Sequence, residues 1–164
     1  AQIDSPVYLR LAREKSPVMT TDASPFEIGK ANVLRDHASP KVAIIACGPL
    51  VYKTLVVAEK LAKEGIEVSV VNNHTIKPLD EETVVKFAKL CKAVVTVEEH
   101  QVMGGMGSAV AEVLARELPT PMEFIGMQDI FGESGQPNEL IAKFGMDAKA
   151  IVAAAKRAIK RKKK

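Results

Sequence analysis

Two carboxylates and an imidazole follow one another at Glu98, Glu99 and His100, just ahead of the glycine-rich turn Gly104-Gly105-Met106-Gly107. Together these side chains could move protons, provided that substrate reaches them and burial shifts their pKa values. The competing reading is structural: alternation along a strand end aims neighbours in opposite directions, and the groups then pair with a loop or another domain. The turn could present backbone N–H groups to an anion, helped by the positive end of the helix that follows. It lacks both the G-x-G-x-x-G fingerprint and the P-loop ending in Gly-Lys-Ser/Thr, so a tight chain turn is the alternative. Ser134, within Phe131-Gly132-Glu133-Ser134-Gly135, superficially suggests a G-x-S-x-G elbow. Gly135 follows the serine directly, which breaks that pattern. His37 and His74 lie in polar loops without ligand-like company and read as surface residues rather than metal ligands. Lys77 beside Pro78 could bind an anion, or simply stand solvated before a helix. Cys47 and Cys91 have no second cysteine or histidine at metal-ligand spacing, so both read as buried free thiols.

These residues need a scaffold, and 164 residues with 47% apolar and 26% charged content are enough for one well-cored domain. Aromatics make up only 4% and tryptophan is absent, so the core must be aliphatic, which suits helices packed on a sheet. The formal charge of +3 comes mostly from the run Lys156 to Lys164. Such a tail could touch nucleic acid or anionic lipid; the plainer reading is a solvated helix end whose cations favour the C-terminal dipole. Neither nucleic acid nor membrane is expected as a partner. With no secretory h-region and no apolar run near the roughly twenty residues of a membrane span, the expected location is cytoplasmic. The chain opens at Ala1 inside strand-like sequence, which suggests a piece of something longer.

Strand-like and helix-like segments alternate. Residues 7–11 read as a short strand, and residues 16–26, with Pro17 and Pro25, as an extended linker. Residues 28–34 form a modest strand, the candidate antiparallel edge. The apolar run 42–47 has the pattern of a strand covered on both faces. Gly48-Pro49 then starts a helix with Val51, Leu55, Ala58 and Ala62 on one stripe, stopped at Gly65. A second unit pairs strand 67–71 with a helix N-capped by Asp80 and carrying Val84, Val85, Ala88 and Leu90 on its inner side. A third joins strand 93–97 to a helix with Val110, Val113, Leu114 and Leu118 inward. A short strand at 124–127, a loop at 129–136, a short helix at 137–144 and a last helix capped by Asp147 complete the chain. Repeated strand–helix units predict an α/β fold with a mostly parallel sheet, right-handed crossovers and helices on both faces. Ligands of such sheets bind beyond the carboxyl ends of the strands, so the loops at Gly48, 72–77, 98–107 and 129–136 should share one rim.

Thr75-Ile76-Lys77-Pro78-Leu79-Asp80, Val97-Glu98-Glu99-His100 with Gly104-Gly105-Met106-Gly107-Ser108-Ala109-Val110, and Phe131-Gly132-Glu133-Ser134-Gly135 ahead of Glu139-Leu140 together resemble the C-terminal domain of transketolases. Order and spacing agree over nearly the whole chain. The wider superfamily includes deoxyxylulose-phosphate synthase and the beta subunits of 2-oxoacid dehydrogenases; the Glu-Glu-His and Phe-Gly-Glu-Ser-Gly wording favours transketolase. The resemblance implies a three-layer α/β/α domain with a five-stranded mixed sheet, one strand of it an antiparallel edge. On this view residues 1–15 end a preceding pyrimidine-binding domain, 16–26 are a linker, and 27–164 form the C-terminal domain with its basic helix and tail.

The same resemblance gives Arg13, in Leu11-Ala12-Arg13, contact with a substrate phosphate, a task suited to the fixed donor fork of a guanidinium. It assigns no catalytic, cofactor or metal-binding residue here. The thiamine-diphosphate signature, Gly-Asp-Gly followed by Asn, is missing from this sequence, so the piece is expected to be inactive alone. The complete enzyme would hold thiamine diphosphate and a divalent metal such as magnesium and transfer a two-carbon ketol unit between sugar phosphates. This domain would pack on the catalytic domains, of the same enzyme or a partner subunit, and support a homodimer. Two rivals remain: a regulatory anion or nucleotide module built on residues 104–107, and a docking module like the equivalent domain of dehydrogenase beta subunits.

Overall fold

The computed structural model describes residues 3–162. Five strands make one sheet in the order β1-β3-β2-β4-β5. β1 (Asn32–Arg35) runs antiparallel to β3 (Val68–Asn72) at one edge. β2 (Val42–Ala46) is parallel to β3 and to β4 (Val94–Gln101), and β4 is parallel to β5 (Met122–Met127). The expected fold class, with its single antiparallel edge strand, is the one found.

β2 is buried at every position because both sheet faces are covered. On one face, Val42, Ile44, Val70 and Val95 pack beneath α1 (Leu50–Lys63) and α5 (Ala148–Lys160). On the other, Ala43, Ile45, Val71 and Val94 pack beneath α2 (Glu81–Cys91) and α3 (Met106–Glu117). The short α4 (Pro137–Lys143) links β5 to α5 and buries Ile141. Among the described residues no helix is long and apolar enough to cross a membrane.

Several expectations change in detail. The edge strand begins at Asn32 rather than residue 28, and β4 runs to Gln101 rather than stopping at Val97. α2 buries Val84, Phe87, Ala88 and Cys91, the i, i+3, i+4, i+7 stripe of a helix. Leu90, expected inward, falls off that stripe and is exposed. Residues 7–11 join no strand of the sheet, and Tyr8 and Leu9 are exposed. The basic helix end is not merely solvated. Lys156 pairs with Glu64, while Arg157 and Arg161 both grip Glu123 at 2.8 Å, and burial of that carboxylate is outweighed so that its pKa falls below the ordinary value.

Asp80 ties the antiparallel edge to the helical layer. Its side chain accepts from the Thr83 N–H and hydroxyl, capping α2, and from the Ala31 N–H at 2.8 Å, just before β1. Burial opposes ionisation there, but the hydrogen bonds and Lys30 outweigh it and hold the pKa below its usual 3.8. Asp80→Ala, which removes the cap and strands the Ala31 N–H, should cost about 2–3 kcal/mol in urea unfolding. The depressed pKa sets the sign of a second test. The wild type's advantage over Asp80→Asn should be complete above pH 3.8 and shrink as the pH falls further.

Candidate functional site

The loops expected at one rim do lie at the carboxyl ends of the strands; alternation turns Glu99 away from Glu98, and His100 is exposed within the stretch where the register of β4 is irregular. Glu98 is buried, with 2% of its surface accessible, whereas Glu99 and His100 face outward. Glu98 reaches beneath the start of α3. Its two carboxylate oxygens accept the Met106 and Gly107 N–H groups, each at 2.7 Å. Gly105, the N-cap, supplies no side chain. A carboxylate from a neighbouring strand therefore satisfies two of the donors that every helix start leaves open, and its charge sits where the helix dipole favours it.

This arrangement explains the glycines. Gly104 has φ 79°, the left-handed region in which glycine is at ease. At Gly105 a Cβ would collide with the Gln101 carbonyl and the Glu98 carboxylate, and at Gly107 it would lie 2.8 Å from Thr96 Oγ1 and 3.0 Å from Glu98 Oε1. The Ser108 hydroxyl donates to the Val102 carbonyl and accepts from the Gly104 N–H, locking the turn. The two open readings of the loop thus merge: it is a tight turn, and its converging N–H donors hold an anion that belongs to the chain itself.

Burial is the main influence on Glu98 and raises its pKa; the two N–H bonds, His100 and Arg10 pull the other way. Cys47, half-buried at the end of β2, is pushed up to about 12, first by burial and then by Glu98, with Arg10 opposing. Cys91 is buried and raised to about 11, chiefly by burial. Neither thiol is a ready nucleophile at neutral pH. Arg10, which no sequence motif singles out, is the cation that acts on both Cys47 and Glu98. A lone charge in an extended segment gave no signal of that proximity.

The remaining candidates scatter. Arg13 pairs with its neighbour Glu14 at 3.1 Å and has 92% of its side-chain surface exposed. His100 Nδ1 lies 2.8 Å from the Gln101 carbonyl. Gln101, not singled out by sequence, clasps the next rim loop by donating to the Ile130 carbonyl and accepting from the Asp129 N–H. His74 is part-buried rather than a simple surface residue: its ring lies 4.8 Å from that of Phe26, and Nε2 approaches the Glu27 carbonyl at 3.2 Å. His37 stands 3.9 Å from Glu67. Lys77 and Ser134 are exposed, and Glu133 beside the serine pairs with Lys143. Among the described residues no cluster of three His, Cys, Asp or Glu side chains could hold a metal ion.

Removing the grip on α3 should be costly. Glu98→Ala leaves two buried N–H groups unpaired and is expected to destabilise by about 2–5 kcal/mol in chemical unfolding. Gly107→Ala should cost about 1–3 kcal/mol by overpacking. Because Glu98 holds its proton to a higher pH when folded, the wild type should lose stability relative to Glu98→Gln as pH rises from about 4.5 toward the raised value. A pH-independent difference in melting temperature would refute this assignment.

Comparison with known proteins matches residues 29–151 to the family described as transketolase, C-terminal domain. The chain is 44% identical to the 6-deoxy-6-sulfo-D-fructose transketolase subunit SqwH of Clostridium sp., over 97% of this chain and 49% of that protein. It is 40% identical to one of the subunits of the apulose-4-phosphate transketolase of Actinobacillus succinogenes, over 90% of this chain and 47% of that protein. Among solved structures, a split-gene transketolase in the form of an inactive beta4 tetramer superposes with a TM-score of 0.87 at 42% identity, covering 92% of this chain and 49% of that one. The chain spans about half the length of these curated relatives. With residues 29–151 matched to the family and its fold shared with the split-gene transketolase structure, this chain belongs to the transketolase C-terminal domain family.

Proposed function

We propose that the chain is the C-terminal part of a split transketolase, and that with a partner subunit it takes part in transfer of a two-carbon ketol unit between sugar phosphates. Its own contribution is structural: it packs against the catalytic domains and supports the dimer contact. One observation carries this division of labour. The donor pair at Met106 and Gly107, placed where a strand-end ligand would sit, is already held by Glu98. The same observation speaks against the rival anion or nucleotide module on residues 104–107.

Thiamine diphosphate and a divalent metal such as magnesium belong, on this reading, to the complete enzyme. The residues described here do not fit them, because the glycine loop is closed on its own carboxylate and no acidic or histidine cluster converges. Residues 1–15 and 16–26 are read as the end of the preceding domain and its linker. The part-buried His74 supports the linker assignment by holding Phe26 and Glu27 against the domain. Arg13 is the residue that meets the substrate phosphate; its guanidinium is exposed, and the phosphate would compete with Glu14 for its Nε and Nη2 donors.

Ketol transfer from a ketose phosphate to an aldose phosphate should be undetectable with the chain alone. It should appear on mixing with a subunit that carries the Gly-Asp-Gly…Asn region. Inactivity in every such mixture would sink the split-subunit reading. In the active mixture, Arg13→Ala should lower kcat/KM for a phosphorylated acceptor by roughly 10–100-fold, the worth of a charge-assisted phosphate contact. An unphosphorylated acceptor should be nearly unaffected, and Arg13→Lys should restore part of the loss. Equal loss with both acceptors would show that Arg13 does not read the phosphate.

A further inference from the structure

At the opposite end of the sheet from the rim, strand register gathers lysines. β2 and β4 are parallel neighbours with Ala43 paired to Val94, so Lys41 and Lys92, two positions earlier on each, stand side by side where the strands begin. The Ala43 N–H donates to the Ala93 carbonyl and keeps the two segments together at that point. α5 ends at the same place: Arg161 donates to the carbonyl of Met122, itself the register partner of Val94, and Lys162 follows directly. Lys162 is half-buried. Burial first, then the nearby ammonium groups of Lys41 and Lys92, hold its pKa below the usual lysine value.

Among the described residues no carboxylate forms an ion pair with this cluster. Glu67, next to Lys41 across the sheet, is engaged by Arg35 at 3.4 Å and faces His37. Asp36 accepts from the His37 N–H at 2.8 Å and turns to the Ser69 hydroxyl. Among the described residues none of the three lysines has a carboxylate within 4.0 Å. Lys92 moreover sits at the C-cap of α2 with φ 56°, a left-handed position that glycine fills more readily. Lys162 is half-buried while Lys41 and Lys92 are exposed, and like charges gathered at one end of the sheet repel one another, a repulsion that a bound polyanion would relieve. The segments that carry them, residues 40–42, 90–94 and 158–162, contain no aromatic residue. Base stacking is thus not on offer, and the charge-bearing phosphates are what the cluster can recognise.

We propose that Lys41, Lys92 and Lys162 form a binding site for a compact phosphate chain, that of an inorganic polyphosphate or of a nucleoside triphosphate. The site is remote from the rim, so it is independent of the transfer reaction's own substrate contacts.

Calorimetric titration of the full chain with sodium tripolyphosphate, ATP and adenosine tests this. Tripolyphosphate and ATP should both bind, weakening as salt is raised, and adenosine should not. Tripolyphosphate binding more tightly than ATP would identify the inorganic chain as the ligand, and the reverse order the nucleotide. Lys92→Gly suits the left-handed backbone and should melt no lower than wild type, yet weaken tripolyphosphate about tenfold; Lys41→Gln should do the same. Lys53→Gln and Lys149→Gln, at other surfaces, should leave binding unchanged. No heat with tripolyphosphate at low salt would overturn the proposal, as would equal losses in the two control variants. Binding of a short DNA duplex that tripolyphosphate cannot displace would also overturn it, in favour of a nucleic-acid surface.

Discussion

The carboxylate of Glu98, held beneath the first turn of α3, is the contact on which the rim of this domain depends. It joins three elements at once. The side chain leaves β4, closes the N-terminus of α3, and lies against Gly126 of β5, where a Cβ would be 3.3 Å from Glu98 Cγ. A buried acidic group is costly in isolation, and here two aligned N–H donors at the positive end of a helix offset part of the cost, burial still keeping the pKa raised. The small residues around it follow from that choice: Gly105 and Gly107 have no room for side chains because an acid occupies the space. The same closure converts what resembles a phosphate-binding loop into a rigid strand-to-helix joint.

The opposite edge is secured by the same chemistry in another place. Asp80 caps α2 and takes the Ala31 N–H, so a single carboxylate sets both the start of a helix and the approach to the antiparallel strand. At the far side, Arg157 and Arg161 converge on Glu123 and fasten α5 to β5. In each case a short-range sequence feature, such as an acidic residue or a basic helix end, acquires its partner from a distant element. Lys41, Lys92 and Lys162 stand out against this background, since among the described residues none of them has a carboxylate within 4.0 Å.

Much of the scaffold was legible because the periodicities are strong. The run 42–47 could be placed at the sheet centre, and Asp80 and Asp147 as caps, from local pattern alone; both caps are present. Boundaries and facing were less legible. β4 runs beyond Val97 because Gln101 regains pairing with Met127 after an irregularity in register, and charged residues at its end hid this. Leu90 is exposed and Phe87, not singled out by sequence, is buried because the buried stripe of α2 is set by the helices and strands it meets. His74 has an ordinary loop context in sequence, and only the folded linker brings Phe26 against it.

By itself the sequence determined the α/β class, the alternation of units, the aliphatic core and the family resemblance, because these rest on periodic burial and on short motifs whose neighbours in sequence are neighbours in space. Only the tertiary structure decided what the motifs do. Glu98, Glu99 and His100 are adjacent in sequence, yet the irregular end of β4 buries the first and exposes the other two, and the glycine turn meets its anion from within the chain. Lys41, Lys92 and Lys162 are far apart in sequence and share one end of the sheet through strand pairing and the placement of α5. Charge acts through distance, and distance between remote residues exists only once the sheet has formed.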